Sequence, residues 1–135
     1  MGRRKLSVVS NLGVKITKSM FGYVRLEGVV DDVLKVMKAV RDVWGRDTED
    51  VNDTIRILSN FDVFYESMRR RFKEYIAPRK RESELVKGLV VVEKIKLTKE
   101  GGRRAVVVFD KGIELDDIKH LLDELGIEYE VVSGA

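Results

Sequence analysis

The sequence predicts an α+β fold in which a mainly antiparallel sheet carries helices on one face. Apolar and polar residues alternate in short, turn-linked segments, as is typical of half-buried strands, whereas longer segments repeat apolar residues at helical spacing. The elements follow the order ββα, a helical middle, then ββαβ, which favours one sheet covered by a helical layer. The chain has 135 residues, 44% of them hydrophobic. That size suits one α+β domain spanning residues 1–135.

The first ββα unit is predicted from a hairpin pattern. Residues 6–27 are expected to be extended, with a turn at 18–22. The apolar positions that alternate with polar ones, and should face the core, are Val14, Ile16, Val24 and Leu26. Gly28 is expected to break the second strand. A helix over 29–44 follows, because its valines keep helical spacing.

The helical middle is predicted to contain a second and a third helix. Thr48 is a candidate N-cap for the second helix, which should break at Ser59 and Asn60. The third helix should continue to Pro78, because the residue before a proline is displaced from the α region. Its apolar stripe would consist of Tyr65, Met68, Phe72, Tyr75 and Ile76. Residues 79–88 form a charged connector with a short helical turn.

The second unit, ββαβ, is predicted from the last third of the chain. Residues 89–97 and 105–109 should form a hairpin around a turn at 101–102, with the second strand buried on both faces. A helix over 115–125 shows clear apolar spacing, and residues 129–132 form a final strand.

Charge is strongly segregated along the chain, although the net charge is only +3. Residues 1–26 carry +6 and residues 67–109 carry +8. Residues 27–66 carry −5 and residues 110–135 carry −6. The predicted hairpins and the arginine-rich segment are therefore basic, and most of the other helices are acidic.

The densest basic run lies within residues 69–81, where seven cations are opposed only by Glu74. Guanidinium groups match phosphate oxygens in a bidentate way, so such a cluster suits phosphate contacts. A solvated helix C-terminus would also favour cations there, and we weigh the two interpretations equally. The candidate phosphate-binding residues are Arg69, Arg70, Arg71, Lys73, Arg79, Lys80 and Arg81.

A second set of candidates lies on the predicted sheet. If the apolar residues of the first hairpin face the core, its basic and aromatic residues face outward on an open sheet face. Rings on which bases stack, set among cations that neutralise the backbone, are what single-stranded nucleic acid binding requires. Lysines on strands also protect sheet edges from aggregation, and a tyrosine can pack under a loop or a dimer partner. The candidates are Lys15, Lys18, Phe21, Tyr23, Arg25, Lys94 and Lys96.

Composition excludes several classes of site. The chain has no Cys and one His, so we expect no disulfide, thiolate or multi-histidine metal site and no cofactor. No apolar run approaches the length of a membrane span, and no secretory signal is evident, so a cytoplasmic location is expected. The absence of Gln and a charged fraction of 36% indicate a thermophilic, archaeal-like composition.

One stretch resembles the second half of a KH domain. It runs from Gly13 to Trp44 and contains Val14-Lys15-Ile16-Thr17, then Gly22-Tyr23-Val24-Arg25-Leu26-Glu27-Gly28, then a Val-rich helix. The Gly-x-x-Gly loop that grips nucleic acid in that family is absent upstream. The likeness therefore covers a ββα unit, and no functional residue is carried over from it.

These observations favour a small, non-catalytic nucleic-acid-binding protein, with single-stranded DNA or RNA as its partner. The first alternative is an assembly module, such as a homodimer, that pairs its basic and acidic faces. The second is an enzyme that acts on a phosphorylated small molecule at the arginine cluster. The scarcity of His, Cys and nucleophile motifs makes the enzyme the weakest of the three hypotheses.

Overall fold

The computed structural model describes residues 13–133, and this part of the chain contains five strands and five helices. In chain order these are β1 (Val14–Lys18), β2 (Val24–Val29), α1 (Val30–Asp42), α2 (Glu49–Ser59), α3 (Phe61–Arg70), α4 (Glu82–Val86), β3 (Val92–Thr98), β4 (Arg104–Phe109), α5 (Leu115–Leu125) and β5 (Tyr129–Ser133). The predicted α+β class and the order ββα, helical middle, ββαβ are confirmed. Residues 6–12 of the predicted first strand lie outside the described residues.

The strands form one mixed sheet in the order β3-β4-β2-β1-β5. Neighbouring strands are antiparallel except β1 and β5, which are parallel. The pairing of β2 with β4 joins the two ββα units at the centre of the sheet. There Leu26 lies opposite Ile16 on one side and Val107 on the other, and all three are fully buried. The alternation that predicted the inward residues of the first hairpin is confirmed.

The hydrophobic core lies between one sheet face and the helices. Helix α1 packs on β2, β4 and α5, while α2 packs on α1 and β3. Ile118 and Leu122 of α5 are fully buried in this layer. Strand β4 is buried along five of its six residues, as predicted.

Gly28 does not end the second strand, contrary to the prediction. It lies inside β2 opposite Val14, and it is buried. A Cβ atom built at this position would lie 2.6 Å from Cγ1 of Val14. Glycine is therefore required by the close approach of the two strands rather than by a change of direction.

Helix α3 ends at Arg70, so the predicted continuation to Pro78 is wrong. Phe72 has φ 54°, and the N–H of Lys73 donates to the carbonyl of Met68 at 3.0 Å. The N–H of Phe72 donates to the carbonyl of Arg69 at 3.1 Å. This pair of bonds is a Schellman closure, which satisfies the last carbonyls and turns the chain out of the helix.

The segment after this closure runs beside β3 instead of continuing the helical stripe. Ile76 and Ile95 exchange two backbone hydrogen bonds of 2.8 Å each, forming an antiparallel bridge at the sheet edge. Tyr75 and Ile76 are thus held in extended backbone, and Phe72 is exposed rather than part of a buried stripe.

Two carboxylates of α2 hold the connector between α3 and β3. Asp50 is fully buried, and its Oδ2 accepts the N–H groups of Val91 at 2.7 Å and Val92 at 2.8 Å. Oδ2 of Asp53 accepts the N–H of Arg79 at 2.8 Å. The connector from 79 to 92, which contains α4, is therefore fixed at both ends to α2. Strand β3 begins at Val92 rather than at 89 as predicted.

Candidate nucleic-acid interface

The sheet face opposite the helices carries several of the sequence-predicted binding residues. In one row across the strands, Arg25 lies opposite Thr17 and Val108, and Val108 lies opposite Lys94. Val132 continues this row on β5, where it lies opposite Thr17. The row therefore contains two cations and no acid.

The next row mixes charges. Lys15 lies between Glu27 of β2 and Glu130 of β5. Glu27 in turn lies opposite Val106, which faces Lys96. Because acids adjoin the cations here, the excess of positive charge on this face lies toward the row of Arg25 and Lys94.

An open cleft of about 300 Å³ lies at this positive end of the face, and we call it the tyrosine cleft. Two tyrosine rings, two cations and one acid contribute to its walls. Its lining residues are Ser19, Tyr23, Arg25, Tyr75, Glu93, Lys94 and Val108.

Cations lie directly over both rings of the cleft. Nζ of Lys94 is 4.2 Å from the centroid of the Tyr75 ring, and Nζ of Lys96 is 6.0 Å from it. Nζ of Lys111 is 5.5 Å from the centroid of the Tyr23 ring. Each ring is thus an aromatic surface with positive charge beside it, as in cation–π pairs.

The β1–β2 turn positions Tyr23. The N–H of Tyr23 donates to Oγ of Ser19 at 3.1 Å, and the N–H of Ser19 donates to the carbonyl of Tyr23 at 2.8 Å. Gly22 adopts φ 91°, which a residue with a Cβ would reach only with strain. The turn is fixed by its own hydrogen bonds, and they hold the backbone of Tyr23 in a defined position.

The bridge beside β3 positions Tyr75. Ile76 is paired with Ile95, whose side chain belongs to the core. Side chains alternate along extended backbone, so Tyr75 falls on the opposite, open face next to Lys94.

A second cavity of about 260 Å³ adjoins the tyrosine cleft and shares Tyr75 with it. The cations Arg71 and Lys73 contribute to its lining. Its other lining residues are Phe64, Ser67, Met68, Ile76 and Ala77. Two residues of the predicted arginine run, Arg71 and Lys73, therefore line a cavity that is next to the cleft, with Tyr75 lining both.

The remainder of that run is dispersed. The guanidinium of Arg69 lies 5.9 Å from the centroid of the Tyr65 ring, and Arg70 is exposed at the end of α3. Nζ of Lys80 donates to the backbone carbonyl of Glu93, a cleft residue, at 3.3 Å.

Two members of the connector lie against the helical layer. Nε of Arg81 is 3.6 Å from Oε1 of Glu49, and Arg79 is anchored to α2 through its backbone N–H. The seven cations of the predicted run from 69 to 81 are therefore dispersed over several parts of the surface, because the helix stops at Arg70.

Three other predicted residues lie outside the cleft or are partly neutralised. Lys18 is paired with Val24, so alternation assigns it to the core-facing set at the exposed end of β1. Phe21 is 72% exposed at the hairpin turn. Nζ of Lys96 forms a 3.2 Å ion pair with Glu74.

The sequence interpretation missed Tyr75, Ser19 and Glu93 as cleft residues, and it missed Lys111 as the cation over the Tyr23 ring. The run Tyr75-Ile76-Ala77-Pro78 contained a usable signal, because aromatic and β-branched residues before a proline favour extended backbone. The position of Lys111 beside Tyr23 depends on β4 lying next to β2, which no local pattern indicates.

Within residues 13–133 no group of three or more His, Cys, Asp or Glu side chains is arranged to hold a metal ion. The acids at the start of α2 bind backbone N–H groups instead. Over the same residues, every helix is too short or too polar to cross a membrane.

Comparison of the chain with family models, curated proteins and solved structures gave no match. The likeness of Gly13–Trp44 to half a KH domain is thus not supported by a family model. The function must be inferred from the geometry and charge of the tyrosine cleft.

Proposed function

We propose that the protein binds single-stranded nucleic acid through the tyrosine cleft. The observation that carries this proposal is the meeting of Tyr23 and Tyr75 in one cleft, each ring with a lysine Nζ within 5.5 Å of its centroid. Stacking surfaces with adjacent positive charge serve the two parts of a nucleotide, the base and the phosphate.

A single strand fits this arrangement better than a duplex. Bases in a duplex are already stacked on one another, whereas the bases of a single strand can turn into a recess and stack on a ring. The two tyrosines come from the β1–β2 turn and from the bridge segment, so they border the cleft from different parts of the chain. Each base stacked on such a ring contributes about 1–3 kcal/mol.

The distribution of charge suggests a path for the sugar–phosphate backbone of the bound single strand. Lys111, Arg25 and Lys94 surround the rings, and Arg71 and Lys73 continue beyond Tyr75. The row that holds Glu27 and Glu130 would repel phosphates. The strand is therefore expected to cross the face from Tyr23 toward Tyr75 and the second cavity.

The assembly module stays a prediction, and several ion pairs argue against it. Arg103 pairs with Asp62 at 2.6 Å, Lys96 with Glu74 at 3.2 Å and Arg81 with Glu49 at 3.6 Å. Basic and acidic groups thus partly neutralise each other within one chain. Light scattering after size exclusion at low and high salt tests this hypothesis, and a salt-sensitive dimer would support it.

The direct experiment is a fluorescence anisotropy titration with labelled single-stranded DNA, single-stranded RNA and a duplex, each about fifteen nucleotides long. We expect the single strands to bind more tightly than the duplex. Affinity should fall with rising salt, with a slope near −2 in log–log form for about three neutralised phosphates. The proposal is overturned if neither single strand binds at about 50 mM salt.

Paired variants locate the binding surface. Tyr75→Ala should weaken binding about 5- to 150-fold because one stacking surface is lost, whereas Tyr75→Phe keeps the ring and should bind nearly as wild type. Lys94→Glu should weaken binding, whereas Lys35→Glu makes the same charge change on α1, in the helical layer. Equal losses in the two lysine variants would mean that net charge rather than the cleft governs binding.

The same titrations distinguish the proposed nucleic-acid site from the site of an enzyme that acts on a phosphorylated small molecule. A site for a phosphorylated small molecule would bind a nucleoside monophosphate as tightly as the oligonucleotide. We expect the oligonucleotide to bind much more tightly, because it also reaches the cations of the second cavity. Equal affinities for the two ligands would favour the small-molecule site.

A further inference from the structure

Phe72 occupies a left-handed backbone position that suits glycine, and its side chain is almost fully exposed. Its φ is 54°, the only positive φ of a non-glycine residue among residues 13–133. Its side chain is 96% exposed. It occupies the position after the helix C-cap where glycine is strongly preferred.

Both properties count against stability. A side chain with a Cβ is strained in the left-handed region, and a bulky residue there is a genuine outlier. A ring that is almost fully exposed gains little from burial in return. Strained residues of this kind cluster at functional sites.

Cations lie on both sides of this ring in the chain. Arg69, Arg70 and Arg71 precede it, and Lys73 follows it. Arg71 and Lys73 line the second cavity, which shares Tyr75 with the tyrosine cleft. Phe72 is thus an exposed aromatic residue at the end of the basic path from Tyr23 through Tyr75.

We infer that Phe72 is a second stacking site for the same single strand, contacting a base beyond the one held in the tyrosine cleft. This inference rests on the proposed function. The left-handed backbone holds the ring away from the protein, and the flanking guanidinium groups are suited to the phosphates on either side of a stacked base. The nearby tyrosines favour nucleic acid as the partner over an anionic membrane.

The main test is Phe72→Gly, which has opposite effects on stability and on binding. Glycine removes the backbone strain, so the thermal midpoint should rise by a few degrees. Affinity for a labelled single strand of about fifteen nucleotides should fall about fivefold or more, since one stacking contact is lost. A destabilised or misfolded variant cannot produce this pair of results.

Two further substitutions and a control test whether binding needs a flat aromatic ring at position 72. Phe72→Leu keeps an apolar side chain without a flat ring and should also lose affinity, whereas Phe72→Trp should keep it. Val63→Ser is the control, because Val63 is 67% exposed on α3, the helix that precedes Phe72, and lies before the arginine run. Its affinity should equal that of wild type.

The Phe72→Trp variant also reports the contact directly. The wild-type chain has one tryptophan, Trp44, which packs against the core. Unlabelled oligonucleotide should quench the emission of the variant beyond any change in wild type, because a base stacks on the new indole.

The outcomes distinguish this inference from the proposed function. If Phe72→Gly binds as tightly as wild type while Tyr75→Ala does not, only the inference on Phe72 is overturned. If the wild type binds no single strand, both proposals are overturned. If phosphatidylserine vesicles bind through Phe72 while oligonucleotide affinity is independent of it, Phe72 is a membrane contact and the inference is also overturned.

Discussion

Replacing Asp50 by alanine should cost a large part of the protein's stability. The carboxylate is fully buried, and its Oδ2 accepts hydrogen bonds from the N–H groups of Val91 and Val92 at 2.7 and 2.8 Å. Asp50→Ala removes both bonds and leaves two buried donors without an acceptor. Each unsatisfied buried donor costs about 1–3 kcal/mol.

The expected net loss is about 3 kcal/mol, because removing the carboxylate also removes the cost of burying its charge. Oδ1 of Asp50 accepts no hydrogen bond from residues 13–133, so part of that cost is uncompensated within this part of the wild-type chain. For a domain of this size a urea m-value of about 1.5–2 kcal/mol/M is expected. The midpoint of urea unfolding should therefore fall by about 1.5–2 M.

Urea titration followed by circular dichroism measures this effect. Asp47→Ala is the matched control, since Asp47 is exposed on the loop before α2 and accepts a hydrogen bond from the Asn52 amide. Its midpoint should shift by less than about 0.5 M, as for most surface substitutions. If the two variants shift the midpoint equally, the clamp between α2 and the start of β3 has no special energetic role.

Three further outcomes follow from the structure. Gly28→Ala should destabilise by about 1–3 kcal/mol, because a Cβ would meet a β1 side chain at 2.6 Å. Gly112→Ala, where the nearest atom is 3.5 Å away, should shift the urea midpoint little. Leu121→Ala, at a core position 1% exposed, should cost about 2–5 kcal/mol, whereas Leu85→Ala, 56% exposed, should be nearly neutral in the same assay. Lys94→Ala should reduce the salt slope of single-strand binding by about 0.7, and an unchanged slope would mean that Lys94 contacts no phosphate.

The parts of the fold that local patterns encode were predictable. The helix over 115–125 and the inward residues of the first hairpin follow directly from hydrophobic periodicity. The break between α2 and α3 also matches the polar pair Ser59 and Asn60. In these elements, the local preference of the residues and the burial of their apolar side chains favour the same structure.

The end of α3 was not predictable from periodicity. Phe72, Tyr75 and Ile76 keep helical spacing in the sequence, yet the chain leaves the helix at Arg70. Two interactions compete with continuation of the helix: the Schellman closure around Phe72 and the backbone bridge between Ile76 and Ile95. The bridge joins residues far apart in the sequence, so no local window contains it.

The candidate site was predictable only in part, because some of its residues are brought together by contacts between distant parts of the sequence. Tyr23, Arg25 and Lys94 follow from strand alternation, and the structure brings them into one cleft. The edge bridge brings Tyr75 into the cleft, and the strand order places Lys111 over the Tyr23 ring. Both depend on tertiary contacts. Alternation assigns a residue to a face but does not identify its neighbours on that face.

The most direct test of the tyrosine cleft is amide chemical-shift mapping of the 15N-labelled protein during titration with unlabelled single-stranded DNA. We predict that the largest shifts fall on the cleft residues and on Lys73 of the second cavity, along the proposed path of the nucleic acid. The cleft residues are Ser19, Tyr23, Arg25, Tyr75, Glu93, Lys94 and Val108. Amides of α1 and α5, on the opposite side of the sheet, should shift little. Shifts concentrated on α1 and α5, with the cleft unaffected, would contradict the proposed binding site.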